Sequence, residues 1–430
     1  MALKFFILAG EASGDLHGAK LIEALKRLEP GARCIGMGGP KMAAAGLEVA
    51  KDLDGMQVVG FWEVAKQYGF FKDVFYKLLD RVKQEKPDAL VCIDYPGFNL
   101  RFAKEVKKLG IPCLYYIVPQ VWAWKPGRAG KMAEYIDRAY CVFEFELPFF
   151  DKFRSPTRKM KTHFVGHPLL DQPKVEPIAL PPGPKTVGLL PGSRTNEVTA
   201  LSDLLCHGAF LAREKLEALR ALISISAQAA DGEDAFASVR IASGLTWFEY
   251  YTWFGDRLRV TWPKREKASV IVSEKTFRMP KKSERGNLPF SNDLCNAIFP
   301  IESHASVLPA SADFSVVKSG TSTLEAGLQG NPLCVVYKGS WASYAIAHLL
   351  VDIPVFSLVN IVLGRYAVPE LLQDEVNPQR IAAEIERGLT DQKYIETQRA
   401  ALAELPGKLG GPGASERAAK GMLDFIRGKE

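Results

Sequence analysis

Short apolar runs that stop at a polar, glycine-bearing loop, each alternating with an amphipathic stretch, recur along this chain and constrain its fold more than any other feature. The first, Phe5-Phe6-Ile7-Leu8-Ala9, ends at Gly10 and is followed by a helical pattern over 19–28. The run Ala89–Ile93 comes after a helical pattern over 74–84, and 113–118 after one over 101–109 with the turn Gly110-Ile111-Pro112. A fourth run covers 139–143. A strand with one wet face alternates apolar and polar residues, whereas a strand apolar at every position has both faces covered. Strands of that kind separated by helices build a parallel sheet, so the expected fold class is α/β.

At 430 residues the chain is long enough for two such domains, each with its own core. Between 168 and 184 six prolines interrupt the pattern, and proline at that density reads as an extended linker. A strand at 186–190 then restarts the series. It is followed by 314–317 with a helix from Ser322, by Leu333–Tyr337, and by a helical pattern over 343–350. The expected organisation is a first α/β domain over 1–170, a linker over 171–185, and a second α/β domain over 186–400. A helical tail over 401–430 is expected to cross back to the first domain. The stretch 219–296 follows no clean pattern, carrying Trp247, Trp253, Trp262 and the basic run 278–285. An insertion with its own strands, a membrane-touching lobe and a rearranged segment all remain open for it.

Composition removes several function classes. With 47% hydrophobic and 24% charged residues the chain is neither disordered nor fibrous. No run of 18 uncharged residues exists to span a bilayer, and five apolar residues before Gly10 are too few for a secretory signal. The net charge of +6 suits anionic lipid or phosphate without calling for nucleic acid, which is not an expected partner. Seven cysteines without a CxxC pair argue for reduced thiols in a cytoplasm. Six histidines show no HExxH, and Gly166 and Pro168 beside His163 and His167 prevent a ligand-bearing helix, so no metal or other cofactor is expected.

Chemistry is expected at the loops after the strands, because in an open parallel sheet the ligand crevice lies at the carboxyl ends. The loop Gly10-Glu11-Ala12-Ser13-Gly14 opens a helix, yet its acidic Glu11 and Asp15 suit hydroxyls or amides of a sugar better than a pyrophosphate. Asp94 ends a strand, placed to act as a general base, with Pro96 and Gly97 shaping its turn and Asn99 available to cap the helix. Gln120, Trp122 and Trp124 follow another strand end and suit stacking on a sugar face or an acyl chain. In the second half, Gly192-Ser193-Arg194 suits bidentate phosphate contact. Ser319-Gly320-Thr321 enters a helix N-terminus as a diphosphate cradle, with Glu325 within reach of a ribose diol or completing a capping box. Asn360 and Arg365 offer a neutral and a cationic donor. Together these loops fit glycosyl transfer from a nucleoside diphosphate sugar.

The segments LAGEASGDLHG, GMGGPKM, CIDYPGFN, YYIVPQVWAWKPGR, FVGHPLLD, GLLPGSRTNEV, SGTSTLEA and NIVLGR together resemble the lipid-A-disaccharide synthases. The resemblance covers 1–215 and 305–390, and residues 219–296 depart from it. It implies an inverting glycosyltransferase of GT-B fold, two Rossmann-like domains facing across a cleft, the first acceptor-side and the second binding UDP-sugar. The implied reaction transfers 2,3-diacylglucosamine from UDP-2,3-diacylglucosamine to 2,3-diacylglucosamine 1-phosphate, giving a β-1,6-linked disaccharide and UDP. On the resemblance Asp94 matches a catalytic aspartate and Asn360 an active-site asparagine. Arg194 and Glu325 match UDP-contacting positions, and Gly10–Gly14 an acceptor-side loop. Acylated substrates imply work at the inner face of the cytoplasmic membrane, and the segment 55–75, with Phe61, Trp62, Tyr68, Phe70, Phe71 and Phe75 among Lys66 and Lys72, is a candidate surface for it. A homodimer remains open. The rival readings are another GT-B UDP-sugar transferase or epimerase, and a UDP-sugar-binding protein without turnover.

Overall fold

In a computed structural model of the chain the described residues are 2–53, 68–122, 127–157, 159–178, 180, 183–216, 219–225, 250–254, 257–262, 269–272, 298–302, 306–339 and 355–429. They divide into two compact units, one containing Met1–Pro173 and Gly407–Glu430, the other Lys174–Ala345 and Ile353–Pro406.

The first unit is built on strands β1 (Lys4–Ala9), β2 (Arg33–Met37), β3 (Leu47–Lys51), β4 (Ala89–Ile93), β5 (Cys113–Tyr116), β6 (Arg138–Cys141) and β7 (Lys161–Phe164). Their order in the sheet is β3-β2-β1-β4-β5-β6-β7, and every pairing is parallel. Successive side chains of a strand point to opposite faces, which explains the uninterrupted apolar runs. Phe6, Leu8, Leu90, Cys92 and Tyr115 join one core with Val74, Leu78, Phe98 and Phe102. Phe5, Ile7, Val91, Ile93, Leu114 and Tyr116 join the other with Leu21, Ile22, Leu25, Met422 and Leu423. Each such side chain removed from water stabilises the fold by roughly 1.5–3 kcal/mol.

The C-terminal helix Ala414–Ile426 lies in this unit against the helix Ala12–Leu28. Its N-cap is Gly413, which has no side chain to offer, and Asp171 fills the gap by accepting from the backbone amides of Gly413 (2.5 Å), Ala414 (3.2 Å) and Ser415 (2.9 Å). Asp171 closes the HPLLD run, so that run secures the chain terminus.

The second unit carries β8 (Lys185–Leu190), β9 (Leu219–Ile225), β10 (Tyr250–Phe254), β11 (Arg257–Trp262), β12 (Ser269–Val272), β13 (Ile298–Glu302), β14 (Phe314–Lys318), β15 (Leu333–Tyr337) and β16 (Glu370–Leu372). The sheet order is β12-β11-β10-β13-β9-β8-β14-β15-β16. The pairings from β10 through β16 are parallel, and β11 and β12 add an antiparallel edge. The helices Thr195–Lys215 and Pro378–Thr390 pack together and close the core around Leu201, Leu205, Phe314, Ile381 and Ile385.

The apolar runs sit where their pattern put them, but the interior strand β2, buried from Cys34 to Met37, has no continuous apolar run because Arg33 and Gly36 interrupt it, and the sequence reading passed over it; the other differences in the first unit lie in small or exposed elements. The first helix begins at Ala12, ahead of its apolar pattern, because its first turns bury Gly14, Asp15 and Gly18. A Cβ on Gly18 would lie 2.5 Å from Met42 Sδ, so this face packs by closeness and shows no apolar period. β3 and β7 are edge strands with little burial, and the pattern passed over them. The aromatic stretch 54–67, the helical pattern at 343–350 and most of 219–296 lie outside the described residues. Among the described residues no helix is long and apolar enough to cross a membrane.

Candidate functional site

The strand order switches direction near the middle of each sheet, between β1 and β4 in the first unit and between β8 and β14 in the second, where β13 is also inserted between β10 and β9. Ligands of open α/β sheets bind at such points, outside the carboxyl ends of the strands. Most of the residues singled out from the sequence lie at one or the other.

At the first point the loops after β1 and β4 interlock. Gly10 lies directly against the Tyr95 ring: a Cβ there would fall 2.3 Å from Tyr95 Cδ1, so only glycine admits this approach. Asp94 and Tyr95 both adopt left-handed backbone conformations, φ +43° and +49°, which are uncommon for side-chain-bearing residues. The turn is held from beneath. Asn99 Nδ2 donates to the carbonyl oxygens of Asp94 (2.8 Å) and Ile93 (3.2 Å), and the Tyr115 hydroxyl donates to the Asp94 carbonyl at 2.5 Å. Asn99 therefore braces the strand end, where the sequence had suggested a helix cap; the helix Pro96–Lys107 begins behind Tyr95 without a side-chain cap. Strain that surrounding bonds over-determine collects at functional sites.

Burial pushes the Asp94 carboxyl up, the negative charge of Glu11 pushes it further, and the Tyr95 amide pulls the other way, leaving it at about 6. The structure thus brings Gly10, Glu11 and Asp94 together. Ser13 lies exposed and Gly14 buried in the first turn of the same helix. Asp15, one residue on, accepts from the backbone amides of Gly39 (2.8 Å), Lys41 (3.1 Å) and Met42 (2.9 Å), which ties GEASGD to GMGGPKM.

Gln120 and Trp122 follow β5, past Ile117 at φ +57°. Trp122 corrects the sequence reading. It is 8% exposed, its indole N–H donates to Glu146 Oε1 at 3.2 Å, and its ring meets Phe145 edge-on with centroids 4.9 Å apart. A ring so enclosed offers no free face to a sugar. Its anchor Glu146 is fully buried, accepts from the amides of Val142 and Phe143 (both 3.1 Å), and is pushed by burial up to about 8. Gln120 is half-buried, and Trp124 lies outside the described residues.

At the second point the turn after β8 and the turn after β14 are joined by two residues that the sequence reading did not select. Glu197, in the first turn of the helix Thr195–Lys215, accepts from Lys318 Nζ at 2.7 Å through Oε1. The same oxygen lies 3.4 Å from Arg194 Nη1, and Oε2 accepts from the Ser193 amide at 3.3 Å. Gly192 runs at φ +118°, and a Cβ on it would fall 2.4 Å from Glu197 Oε2. Ser193, Arg194 and Thr321 are exposed, and Ser319, Gly320 and Glu325 half-buried. The helix Thr321–Leu328 is closed by Thr323 Oγ1 donating to the Gly320 carbonyl at 2.7 Å. A glutamate three residues into a helix, opposite a lysine ending the adjacent strand, was the available signal for the pair.

Asn360 and Arg365 are engaged elsewhere. Asn360 is fully buried; its Nδ2 donates to Val368 O (2.8 Å) and Glu370 Oε1 (2.7 Å), while Oδ1 accepts from the amides of Ala367 (2.8 Å) and Val368 (2.9 Å). Such a side chain organises the loop 365–370 and has no bond left for a substrate. Arg365 directs its fork to Glu404 at 2.6 and 3.0 Å, so the free cationic donor expected there is occupied by an intramolecular carboxylate.

Comparison with known proteins gives a consistent picture. Residues 5–249 and 273–417 match the family described as "Lipid-A-disaccharide synthetase". The chain is 36% identical over 431 residues to a lipid-A-disaccharide synthase of Anaeromyxobacter dehalogenans (strain 2CP-1), covering 99% of this chain and 98% of that one. Among solved structures it resembles a UDP-N-acetylglucosamine 2-epimerase (TM-score 0.59, 12% identity, 100% of this chain and 97% of that one). It also resembles the glycotransferase of kitacinnamycin (TM-score 0.55, 16% identity, 99% of each). At such identities the structural likeness speaks for the fold alone, two Rossmann-like sheets of GT-B type.

Proposed function

The chain belongs to the lipid-A-disaccharide synthetase family and is a glycosyltransferase of lipid A disaccharide synthesis, and within that activity we propose the substrates and the part each residue plays. The donor is UDP-2,3-diacylglucosamine and the acceptor 2,3-diacylglucosamine 1-phosphate. The acceptor 6-hydroxyl oxygen attacks the anomeric carbon, whose bond to the UDP oxygen breaks with inversion. The hydroxyl proton passes to Asp94, and the electron pair leaves on the β-phosphate of UDP.

The observation that carries this reading is Asp94 itself. A carboxylate at the central strand end, raised to about 6, is ionised at neutral pH yet basic enough to take a proton in the transition state. The second unit supplies the anion-binding groups: Arg194, the Gly192 amide, and the hydroxyl-rich turn Ser319-Gly320-Thr321 at the N-terminal end of its helix, where the helix dipole favours negative charge. Glu325, in the same helix, faces the ribose diol, and the loop Gly10–Gly14 receives the acceptor sugar. Asn360 holds the loop 365–370 and Trp122 packs on the turn that carries Phe145 and Glu146, so both act as structural residues and not as substrate contacts.

Acylated substrates call for contact with a bilayer surface, which we assign to the inner face of the cytoplasmic membrane. Supporting it, a cavity of about 490 Å³ opens between β3 and the helix Tyr68–Glu85, with Val49, Phe70, Val74 and Leu78 beside Lys51, Lys77 and Arg81. The rim also carries Glu48 and Asp73, and its cations pair with Asp52, Asp73 and Glu85, so the exposed Val49 and Phe70 are what suit contact with a bilayer.

The test is an assay of the full chain with radiolabelled UDP-2,3-diacylglucosamine and the acceptor monosaccharide phosphate. Formation of disaccharide and UDP supports the proposal, whereas turnover confined to deacylated sugars would remove the acylated substrates. Sedimentation with phosphatidylglycerol vesicles and not with phosphatidylcholine vesicles supports the membrane assignment; equal sedimentation with both, or with neither, rejects it.

A further inference from the structure

Glu197 and Lys318 are both largely enclosed, with 18% and 17% of their side chains exposed, and lie 2.7 Å apart. They stand on different elements, the first turn of the helix Thr195–Lys215 and the last residue of β14, which meet because β14 pairs in parallel with β8. One carboxylate therefore reaches three donors of the anion-binding end: Lys318 Nζ, Arg194 Nη1 and the Ser193 amide. The cluster holds two cationic side chains and one carboxylate, so it keeps a net positive charge.

We infer that Glu197 is a positioning residue for the donor diphosphate, and that Lys318, which it orients, contacts that diphosphate. The inference rests on reading these two turns as the donor site. A lysine ammonium is a flexible point charge with three donor hydrogens, and its placement costs side-chain entropy. The bond to Glu197 meets that cost before the ligand arrives and commits one hydrogen, leaving two others for phosphate oxygens. The second carboxylate oxygen accepts the single hydrogen of the Ser193 amide and so holds the turn that carries Arg194, and the absence of a Cβ at Gly192 is what lets the carboxylate in. A competing account makes Glu197 a plain counter-charge that weakens the attraction for phosphate. The two accounts differ in sign when the charge is removed and the shape kept.

The experiment measures the Kd of the full chain for UDP by calorimetry in the wild type, Glu197→Gln, Lys318→Met and the double variant, with far-ultraviolet circular dichroism and thermal unfolding as checks of folding. Glu197→Gln is expected to raise the Kd about tenfold, the scale of one charge-assisted hydrogen bond. Lys318→Met is expected to raise it at least as much, and adding Glu197→Gln to Lys318→Met is expected to change it less than threefold, because Glu197 acts mainly through Lys318. Tighter or unchanged UDP binding by folded Glu197→Gln, or multiplying effects in the double variant, would overturn the inference. If Glu197→Gln alone does not fold, the comparison of Lys318→Met with the double variant, which leaves neither charge buried alone, carries the test. Unchanged UDP binding in both Lys318→Met and Arg194→Ala would instead remove the donor-site reading itself.

Discussion

Asn99 Nδ2 donates to the main-chain oxygen of Asp94 at 2.8 Å, so the residue that follows the fourth strand is held by a side chain five positions further along. With the Tyr115 hydroxyl on the same oxygen, the left-handed turn at Asp94 and Tyr95 is clamped, and the Asp94 carboxyl is kept beside Glu11. Asp94→Ala should lower turnover about 10²–10⁴-fold, the usual scale for a general base, with UDP binding unchanged. Near-wild-type turnover would remove Asp94 from the role.

The pH profile gives a second check. The folded carboxyl of Asp94 stands at about 6, above its ordinary value, so it is ionised at neutral pH and protonated on acidification. The acid limb of kcat/KM should therefore bend near pH 6. Glu11→Gln removes a like charge, which should ease ionisation and carry that limb to lower pH. A limb that stays in place or moves upward would contradict the coupling.

Gly192→Ala should abolish measurable UDP binding while the protein stays folded. The new methyl group meets Glu197 Oε2 at 2.4 Å, and φ +118° is strained for alanine. Calorimetry showing UDP affinity within threefold of wild type would mean that the turn plays no part in the donor site.

Asn360→Ala leaves the Glu370 carboxylate and the amides of Ala367 and Val368 short of buried partners, and about 2–4 kcal/mol of stability should be lost. Denaturant unfolding measures it. A loss below about 0.5 kcal/mol, together with a large fall in turnover, would return Asn360 to direct contact with substrate.

Asp171→Ala removes the only side chain on three amides at the start of the C-terminal helix, among the described residues. A cap of this kind contributes about 1–2 kcal/mol. Hydrogen exchange should quicken in Ala414–Ile426 ahead of the parallel sheet, and uniform exchange across the first unit would refute a local cap.

Much of the fold could be read from residue order because burial on both faces of a parallel strand demands apolar residues at every position. Ala89–Ile93 and Leu333–Tyr337 are observed with the very bounds their apolar runs had. The edge strands Leu47–Lys51 and Lys161–Phe164 escaped, since little of them is buried and pairing alone leaves no mark on side-chain type. Trp122 was misread for a related reason: a tryptophan in a loop looks exposed until the buried Glu146 that receives its N–H is seen.

Strand-end residues such as Asp94, Gly192 and Arg194 were evident from local order, because a strand, a turn and a helix are consecutive in the chain and their junction is where chemistry collects. The joining of Glu197 to Lys318, of Asp15 to Gly39 and of Asp171 to Ser415 was decided only in three dimensions. These bonds connect residues 24 to 244 positions apart, and a polar side chain carries no local record of the distant amide or ammonium it will meet. Period and composition report which faces leave water; which polar groups meet after that is set by how the faces pack.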